Sequence, residues 1–277
     1  DAKISLERLG EIHHKDEEED LKKRKITILP EKADLNVQQV YFQYEGPHSP
    51  YVLNDVTLQC PEKKVTAIVG ASGSGKTTLI KLLLGFYNPV EGYVKIGDIH
   101  LGNFSNRVWR NKCGVVMQDG FIFSDTIANN IAVSDETVDR EKLLHAVKTA
   151  NIQEDIESLP LGYNTRIGKE GIGMSQGQQQ RILIARAVYK NPEYIFFDEA
   201  TNALDANNEK VIMNNLQKFF QGRTVIIVAH RLSTVKNADQ IVVLDKGKII
   251  EKGTHAALTE KKGAYYHLVK NQLELGN

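Results

Sequence analysis

The stretch Gly70-Ala71-Ser72-Gly73-Ser74-Gly75-Lys76-Thr77 decides the fold of this chain. It fits the phosphate-binding loop pattern G-x-x-x-x-G-K-[ST]. The apolar residues 65–69 before it predict a strand, and residues 77–84 after it predict an apolar helix that ends at Gly85. A strand, a glycine-rich loop and a helix in this order are the structural context of a nucleotide site. The sequence therefore predicts an α/β domain that binds a nucleotide.

Length and charge narrow the class of protein. The 277 residues are enough to bury a full core, as one large domain or two small ones. The 35 Lys and Arg residues balance the 35 Asp and Glu residues, which argues against a protein built mainly to bind nucleic acid. The longest apolar runs fall far short of the ~20 residues that span a bilayer, and the charged N-terminus does not resemble a signal peptide. Cys60 and Cys113 show no metal or redox spacing and are expected to be buried thiols.

The rest of the chain shows a linker, a helical region and many strands. Residues 1–33 carry an acidic run at 16–20 and a basic run at 22–25, a pattern typical of a solvated linker. Residues 120–182 are mostly helical by pattern. The later strands are short, apolar and spaced by helices such as 209–220, which predicts a parallel sheet covered on both faces. The predicted strands are 37–44, 52–58 and 65–69, a second pair at 93–96 and 113–117, then 194–197, 225–229, 241–244 and, after a tight turn at Lys246-Gly247, 248–251.

The glycine loop is suited to hold the phosphates of ATP. Gly70, Gly73 and Gly75 let backbone N–H groups approach the β-phosphate without a clash with Cβ atoms. ATP carries about four negative charges; the helix N-terminus offers roughly half a positive charge, the Lys76 ammonium one and Mg²⁺ two. The Thr77 hydroxyl is placed to bind Mg²⁺. The residues expected to bind ATP here are Gly70, Ala71, Ser72, Gly73, Ser74, Gly75, Lys76, Thr77 and Thr78.

Two carboxylates follow the apolar strand 194–197. Ligands bind at the carboxyl ends of strands in a parallel sheet, so Asp198 is a candidate ligand of Mg²⁺, directly or through water. Glu199 is the candidate general base for the attacking water, with its proton affinity raised by burial beside another carboxylate. The alternative is a helix N-terminus with an acidic first turn.

Three further residues gain a role from the motifs around them. Gln118 follows the strand 113–117 and could join Mg²⁺ to the attacking water, and His230 follows the strand 225–229 and could contact the γ-phosphate. Tyr44, 26 residues before the glycine loop, could stack on adenine. Each has an ordinary alternative: an exposed glutamine, a structural histidine, and packing of Tyr44 with Tyr41 and Phe42. The candidate catalytic residues are Lys76, Gln118, Glu199 and His230.

Together these motifs resemble the nucleotide-binding domain of an ABC transporter. The resemblance covers roughly residues 34–275, and the ATPase domain is expected at 34–277. The matching stretches are the glycine loop, Gln118, 175–178, 198–205 and 229–231. The resemblance implies a P-loop NTPase core with a mostly parallel sheet, an N-terminal antiparallel β subdomain and an inserted α-helical subdomain at roughly 120–182. It also implies a head-to-tail homodimer, in which each ATP lies between one glycine loop and the partner's Ser175, Gly177 and Gln178. Asp205 would lie in a loop that crosses the dimer interface.

The segment around Ser175 agrees with this implication in part. Ser175 precedes an apolar helix expected at 178–188, so its hydroxyl and backbone amides lie at a positive helix end. Gln176 stands where the family usually has glycine, and its side chain could crowd or assist the partner's phosphate. Lys169 replaces an acidic residue in a loop thought to touch the transmembrane domains, which puts coupling at that loop in doubt.

Other stretches point to the kind of transporter. Residues 4–9 resemble the segment that joins the last membrane helix of exporters to the ATPase, which implies a transmembrane domain before Asp1 with 1–33 as the linker. Residues 175–178 and 197–205 resemble bacterial peptide or bacteriocin exporters with an N-terminal protease domain. The implied cargo is a peptide, and the implied location is the cytoplasmic face of the bacterial plasma membrane.

Three alternatives compete with peptide export. Drug or lipid export uses nearly the same ATPase. A non-transport ATP-switched module, of the DNA-repair or ribosome-associated type, would carry coiled-coil insertions or basic arms, and the sequence has neither. A P-loop kinase gives no reason for the Ser175 motif.

Overall fold

The computed structural model describes residues 10, 18–19, 25–133, 135, 137–201, 203–229 and 232–275. Its strands are β1 (Leu35–Phe42), β2 (Leu53–Cys60), β3 (Val65–Val69), β4 (Glu91–Ile96), β5 (Ile99–His100), β6 (Cys113–Val116), β7 (Asp125–Thr126), β8 (Arg166–Ile167), β9 (Tyr194–Asp198), β10 (Thr224–Val228), β11 (Gln240–Asp245) and β12 (Lys248–Gly253). Its helices are α1 (Lys76–Leu83), α2 (Asn106–Lys112), α3 (Ile127–Ile131), α4 (Arg140–Thr149), α5 (Gln153–Glu157), α6 (Gln176–Tyr189), α7 (Ala206–Phe220), α8 (Leu232–Val235), α9 (His255–Lys261) and α10 (Ala264–Leu275).

A six-stranded sheet with the order β12–β11–β3–β10–β9–β6 forms the centre of the fold. All neighbours in it are parallel except β12, which pairs antiparallel with β11. Side chains alternate between two cores: Ile195 and Phe197 of β9 pack among the helices α3 to α7, whereas Tyr194 and Phe196 pack with α1, α2 and the second sheet. The expectation of a mostly parallel sheet with both faces covered is confirmed.

The second sheet is antiparallel, with the order β2–β1–β4–β5. The two strands expected as a second pair are not neighbours, because β4 pairs with β1 in this sheet and β6 is the edge strand beside β9. Their sequences explain the separation. β6 is a continuous apolar run, as strands of parallel sheets usually are, whereas the exposed residues of β4 suit a sheet with one solvated side.

The region expected to be mostly helical, 120–182, holds α3, α4, α5 and the first half of α6, joined by turns and by the short strands β7 and β8. α6 continues without a break to Tyr189, and buried residues such as Ile182 and Ile184 belong to the same core as β9 and β10. One helix therefore links the helical region to the parallel sheet. Among the described residues, no helix combines the length and the apolar composition needed to cross a bilayer.

Part of the N-terminal segment contacts the domain through hydrogen bonds. Glu18 binds the Arg110 guanidinium, with Oε2 at 2.8 Å from Nη1, and this hydrogen bond lowers the pKa of Glu18. Glu19 accepts a hydrogen bond from the Asn106 backbone N–H, at the first turn of α2. Ile26 donates its N–H to the Asn103 carbonyl at 2.9 Å. The segment therefore makes contacts that its sequence pattern did not predict: α2 lacks a side-chain cap of its own, and a carboxylate stabilises its N-terminus, while the Glu18 side chain stays 55% exposed. Residues 4–9 lie outside the described residues.

The buried carboxylate of Glu251 in β12 contacts both C-terminal helices, α9 and α10. Glu251 accepts a hydrogen bond from the Tyr265 backbone N–H at 2.9 Å and pairs with the Lys261 ammonium at 3.5 Å. A Cβ at position 263 would lie 1.8 Å from Glu251 Oε1, so Gly263 leaves room for it. Burial raises the pKa of Glu251, but the N–H groups of Tyr265 and Ala264 and the Lys261 charge outweigh it. The net pKa lies below the usual value of 4.5.

We expect Glu251→Gln to lower the free energy of unfolding at neutral pH by about 1–2 kcal/mol, because the amide keeps the shape but loses the charge that these donors stabilise. A folded pKa below the unfolded one means that ionised Glu251 contributes stability above pH 4.5 and loses it as the pH falls through the folded pKa. The difference between parent and variant, measured by denaturant titration, should therefore shrink in acid.

The matched control is Glu260→Gln, a change at an exposed glutamate of α9. It should alter the free energy of unfolding by no more than about 0.5 kcal/mol. An equally small effect of Glu251→Gln, or a difference that does not depend on pH, would contradict the role given to Glu251.

Candidate nucleotide-binding site

The motifs lie together at the carboxyl ends of the parallel strands. Val228 of β10 is level with Ile68 of β3 on one side and with Asp198 of β9 on the other. Val116 of β6 is level with Phe197. The carboxyl ends of these four strands therefore lie side by side, and the glycine loop, Gln118 and the two carboxylates leave the sheet there. His230 follows β10 in the chain but lies outside the described residues.

The glycine loop has backbone angles that favour glycine, with φ of +155° at Gly70, +75° at Gly73 and +104° at Gly75. A Cβ at position 70 would lie 2.0 Å from the Leu244 carbonyl oxygen, and one at position 75 would lie 2.8 Å from Leu53 Cδ2. A Cβ at position 73 would meet nothing within 4 Å. Two of the three glycines are thus also required by packing against neighbouring strands, a reason that the motif does not contain.

The turn between β11 and β12 supports the glycine loop from behind. Lys246 and Gly247 both have positive φ, as a two-residue type I′ hairpin requires, so the predicted turn is confirmed. The Gly247 N–H donates to the Ser74 carbonyl at 3.0 Å, and its carbonyl accepts from the Asn54 N–H at 2.9 Å. Sequence reasoning identified the turn but missed its contact with the loop.

Lys76 is buried at the start of α1 with its ammonium turned back over the loop. Its Nζ donates to the carbonyl oxygens of Gly70 at 3.0 Å and Ala71 at 2.8 Å. Burial lowers the pKa of Lys76, while the carboxylates of Glu199 and Asp198 act in the opposite direction. The structure therefore brings the predicted lysine and the predicted carboxylates into one electrostatic environment.

Asp198 is a buried carboxylate with unused acceptors. It is 1% exposed, and neither of its oxygens makes a hydrogen bond within the described part of the chain. Burial raises its pKa, whereas the adjacent Thr77 hydroxyl and the Lys76 charge lower it. The Thr77 hydroxyl favours the ionised form of Asp198, although the two groups do not reach hydrogen-bonding geometry. Buried oxygens without partners at a sheet edge suit a hard cation such as Mg²⁺, which binds few carboxylates alongside phosphate oxygens.

Glu199 differs from its expected environment. Its side chain is half-buried, so the burial expected for the base belongs to Asp198 instead. The backbone at Glu199 has φ of +53°, a region that non-glycine residues rarely adopt, while its N–H still donates to the Val228 carbonyl at 3.0 Å. The chain turns sharply here at the end of β9. Glu199 and the exposed Gln118 both line a cleft of 210 Å³, so the structure does bring these two residues together.

Tyr44 lies beside the first turn of α1. Its hydroxyl is 3.0 Å from the Thr78 Oγ1, and its ring packs edge-on against Phe42 and Tyr87, with centroid distances of 4.9 and 5.4 Å. Tyr41 packs with Tyr51 instead. Because 45% of Tyr44 remains exposed, ordinary packing accounts for only part of its surface. The structure places it at the site, and stacking on adenine stays a prediction.

Ser175 begins α6 with a capping box. Its Oγ accepts from the Gln178 N–H at 3.2 Å, and the Gln178 Oε1 accepts from the Ser175 N–H at 3.0 Å. The helix therefore starts at Gln176, two residues before its expected start. Ser175 and Gln176 are exposed, and Gly177 packs so closely that a Cβ there would lie 3.1 Å from the Ala203 carbonyl.

Asp205 lies at the start of α7 and caps it. Its Oδ1 accepts from the N–H groups of Asn207 at 3.1 Å and Asn208 at 2.9 Å. The bonds from Asn208 lower the pKa of this exposed carboxyl. Sequence reasoning missed Gln180, which bonds to the backbone of Glu199 and Ala203. The available signal was its spacing, since residues three apart on a helix share a face and Gly177 was already a candidate.

Comparison with known proteins agrees with this geometry. The family model described as ABC transporter matches residues 53–202. The exotoxin translocation ATP-binding protein PaxB of Pasteurella aerogenes is 45% identical over 272 residues, which are 98% of this chain and 38% of that protein. The leukotoxin translocation ATP-binding protein LktB of Mannheimia haemolytica is 44% identical, with the same coverage.

A solved structure is similar over nearly the whole chain. It is a bacterial Atm1-family ABC exporter with ATP bound, with a TM-score of 0.89 and 34% sequence identity. The match covers 97% of this chain and 46% of that one. The chain therefore spans less than half the length of each of these relatives.

We expect Gly70→Ala to cost far more stability than Gly73→Ala. At position 70 the new methyl group would overlap the Leu244 carbonyl and force β11 or the loop to shift, a loss of about 3 kcal/mol or more. At position 73 the methyl group meets open space, and only the left-handed backbone is strained, at roughly 1 kcal/mol. Denaturant unfolding of both variants measures the two losses, and equal losses would contradict the packing role of Gly70.

Proposed function

The chain belongs to the ABC transporter family, and on that premise we propose that it is the ATP-hydrolysing domain that powers an exporter. The proposal rests on one observation: Lys76 and Asp198 are buried together beside the glycine loop, at the carboxyl ends of the parallel strands. The solved structure that matches 97% of this chain is an exporter with ATP bound. The similar curated proteins are named for toxin translocation, which favours transport over a DNA-repair or ribosome-associated role.

The glycine loop holds the phosphates of ATP. The Lys76 ammonium now binds two neutral carbonyl oxygens, and it would exchange them for phosphate oxygens, since charge-assisted hydrogen bonds are stronger. The loop leads directly into the N-terminus of α1, where free backbone N–H groups of a helix suit a phosphate. Tyr44, whose hydroxyl contacts Thr78 at the start of α1, would stack on the adenine.

Magnesium would be held by Asp198, Thr77 and Gln118. The unpaired, buried oxygens of Asp198 and the adjacent Thr77 hydroxyl support this assignment, and Gln118 reaches the same cleft as Glu199. When bound, Mg²⁺ supplies positive charge against the β- and γ-phosphates. Glu199 orients the attacking water and accepts its proton, and His230 contacts the γ-phosphate.

Each site is completed by a second copy of the chain. Ser175, Gly177 and Gln178 lie at the N-terminus of α6, and Ser175 is exposed to solvent. This position suits an anion, because the helix end carries unsatisfied N–H groups and a partial positive charge. We assign these residues to the γ-phosphate or ribose of the partner's ATP and Asp205 to the loop that crosses the interface.

The remaining assignments concern the longer protein. Residues 1–33 join a transmembrane domain to the ATPase domain at 34–277, with the helical subdomain at roughly 120–182. The transporter lies in the bacterial plasma membrane with this domain on the cytoplasmic face. The cargo is a peptide or polypeptide, an assignment supported by relatives named for translocating toxins. An N-terminal protease domain, implied by the sequence resemblance, belongs to the same proposal.

We expect Glu199→Gln to keep ATP binding and to reduce turnover by at least about 100-fold, because the amide cannot accept the proton of the attacking water. Size-exclusion chromatography with ATP should then give a stable dimer. Glu193→Gln, at the opposite end of β9, is the matched control and should hydrolyse ATP like the parent. Unchanged turnover in Glu199→Gln would remove Glu199 as the base, and a parent chain that neither binds nor hydrolyses ATP would overturn the proposed function.

We expect Asp198→Asn to stabilise the free chain by about 1 kcal/mol while abolishing the extra stability that Mg²⁺ and ATP give the parent. Folding favours protonated Asp198, so its ionised form destabilises the fold, and the gap between variant and parent should open as the pH rises above 3.8. Thermal unfolding with ATP, with and without Mg²⁺, measures both effects. Asp98→Asn, at an exposed turn, is the control. A variant that is less stable and still responds to Mg²⁺ would exclude Asp198 as the ligand.

A further inference from the structure

A buried glutamine outside the motifs joins α6 to the loop that carries Glu199. Gln180 is 8% exposed. Its Nε2 donates to the Glu199 carbonyl at 3.1 Å, and its Oε1 accepts from the Ala203 N–H at 3.0 Å. One side-chain amide therefore binds both ends of a short backbone segment with its donor and its acceptor.

The segment held in this way begins at the strained residue. Glu199 has φ of +53°, and its N–H is the last to bond across the sheet, to Val228. Its carbonyl lies just beyond the strand ladder and accepts the hydrogen bond from Gln180. Removing the Gln180 amide would take two hydrogen bonds from the segment at once, one at Glu199 and one at Ala203, and would weaken its hold on this path. The position of the Glu199 backbone is thus fixed from α6.

The first turn of α6 touches the same segment. A Cβ at Gly177 would lie 3.1 Å from the Ala203 carbonyl and 3.8 Å from Leu204 Cδ2. Gly177 and Gln180 are three residues apart and share a helix face. Close packing at one turn and two hydrogen bonds at the next leave little freedom for α6 to slide over the segment.

The next residue of α6 makes a second connection, to the chain just after Asp205. Arg181 donates to the Asn151 carbonyl at 2.7 Å and to Asp155 Oδ2 at 2.8 Å. The Asn151 amide in turn donates to Asn208 Oδ1 at 2.8 Å, in the first turn of α7. The first turn of α7 is therefore linked to α6 through Arg181 and Asn151.

We propose that Gln180 is a positioning residue for hydrolysis, which transmits the position of Ser175 at the start of α6 to the backbone of Glu199. The proposal rests on the proposed function, since it takes Glu199 as the base and Ser175 as the contact to the partner's nucleotide. Gln180 lies five residues from Ser175 on one uninterrupted helix. A shift of the helix start is carried to the Gln180 amide, and with it to Glu199.

The test is a pair of isosteric substitutions in the 277-residue chain. Gln180→Met keeps the side-chain volume and removes both hydrogen bonds to the Glu199 segment. Gln179→Met is the control, because within the described part of the chain the Gln179 amide donates to the Met174 carbonyl, in the turn before α6, and not to the Glu199 segment. We expect Gln180→Met to lower kcat about 10- to 100-fold, the scale of a small misplacement of a catalytic group, with KM for ATP changed less than about threefold. Gln179→Met should keep kcat within about threefold of the parent.

A second measurement separates positioning from loss of structure. In a Glu199→Gln background, Gln180→Met should leave the ATP-dependent dimer as stable as with Gln180, since the contact serves turnover and not assembly. Parent-like kcat in Gln180→Met, or a fall in kcat matched by Gln179→Met, would overturn the proposal. An equal loss of ATP affinity, dimer stability and kcat would also overturn it. If Gln180→Met does not fold, Gln180→Glu decides by the same criteria, because its carboxylate keeps the acceptor for Ala203 and repels the Glu199 carbonyl. A parent chain without ATPase activity would refute the proposed function itself.

Discussion

The register of four parallel strands is the constraint on which the site depends. Because Val228 is level with both Ile68 and Asp198, the strands β3, β9 and β10 end together, and the loops that leave them can share one ligand. The register is fixed by burial. β9 and β10 are buried along their whole length, so a slip by one residue would turn every side chain toward the opposite core. The sheet therefore determines where the chemistry can be.

The same edge holds groups that a purely structural sheet would avoid. Asp198 is buried with both oxygens unpaired, the Lys76 ammonium is buried against carbonyl oxygens, and Glu199 has a left-handed backbone. Each of these features costs free energy in the free chain. The concentration of such features at one end of the sheet is typical of a site that a charged ligand completes. The two cores on either side of the sheet provide the stability that offsets this cost.

Local patterns predicted the fold well, and contacts between distant segments were beyond them. The strand at 65–69, the turn at Lys246-Gly247 and the positions of the motifs were read from periodicity and residue type, which are local properties. The Leu244 carbonyl that excludes a side chain at Gly70, and the docking of Glu18 on Arg110, join residues far apart in sequence. No alternation or spacing encodes them. Glu199 is half-buried, and the left-handed φ at which the chain leaves β9 is likewise not encoded in any local pattern.

Two of the N–H groups at the start of α6, those of Ser175 and Gln178, already bond to side chains of the same turn, and this limits what can bind there. Ser175 and Gln178 cap each other, so an anion that approaches these N–H groups must compete with a capping interaction worth about 1 kcal/mol. A neutral or weakly charged group gains little from the exchange, whereas a phosphate offers several charged acceptors at once. When the phosphate leaves, the cap can re-form without any other change. In the proposed dimer, a contact between Ser175 and the partner's nucleotide would therefore be tight only while the γ-phosphate is present.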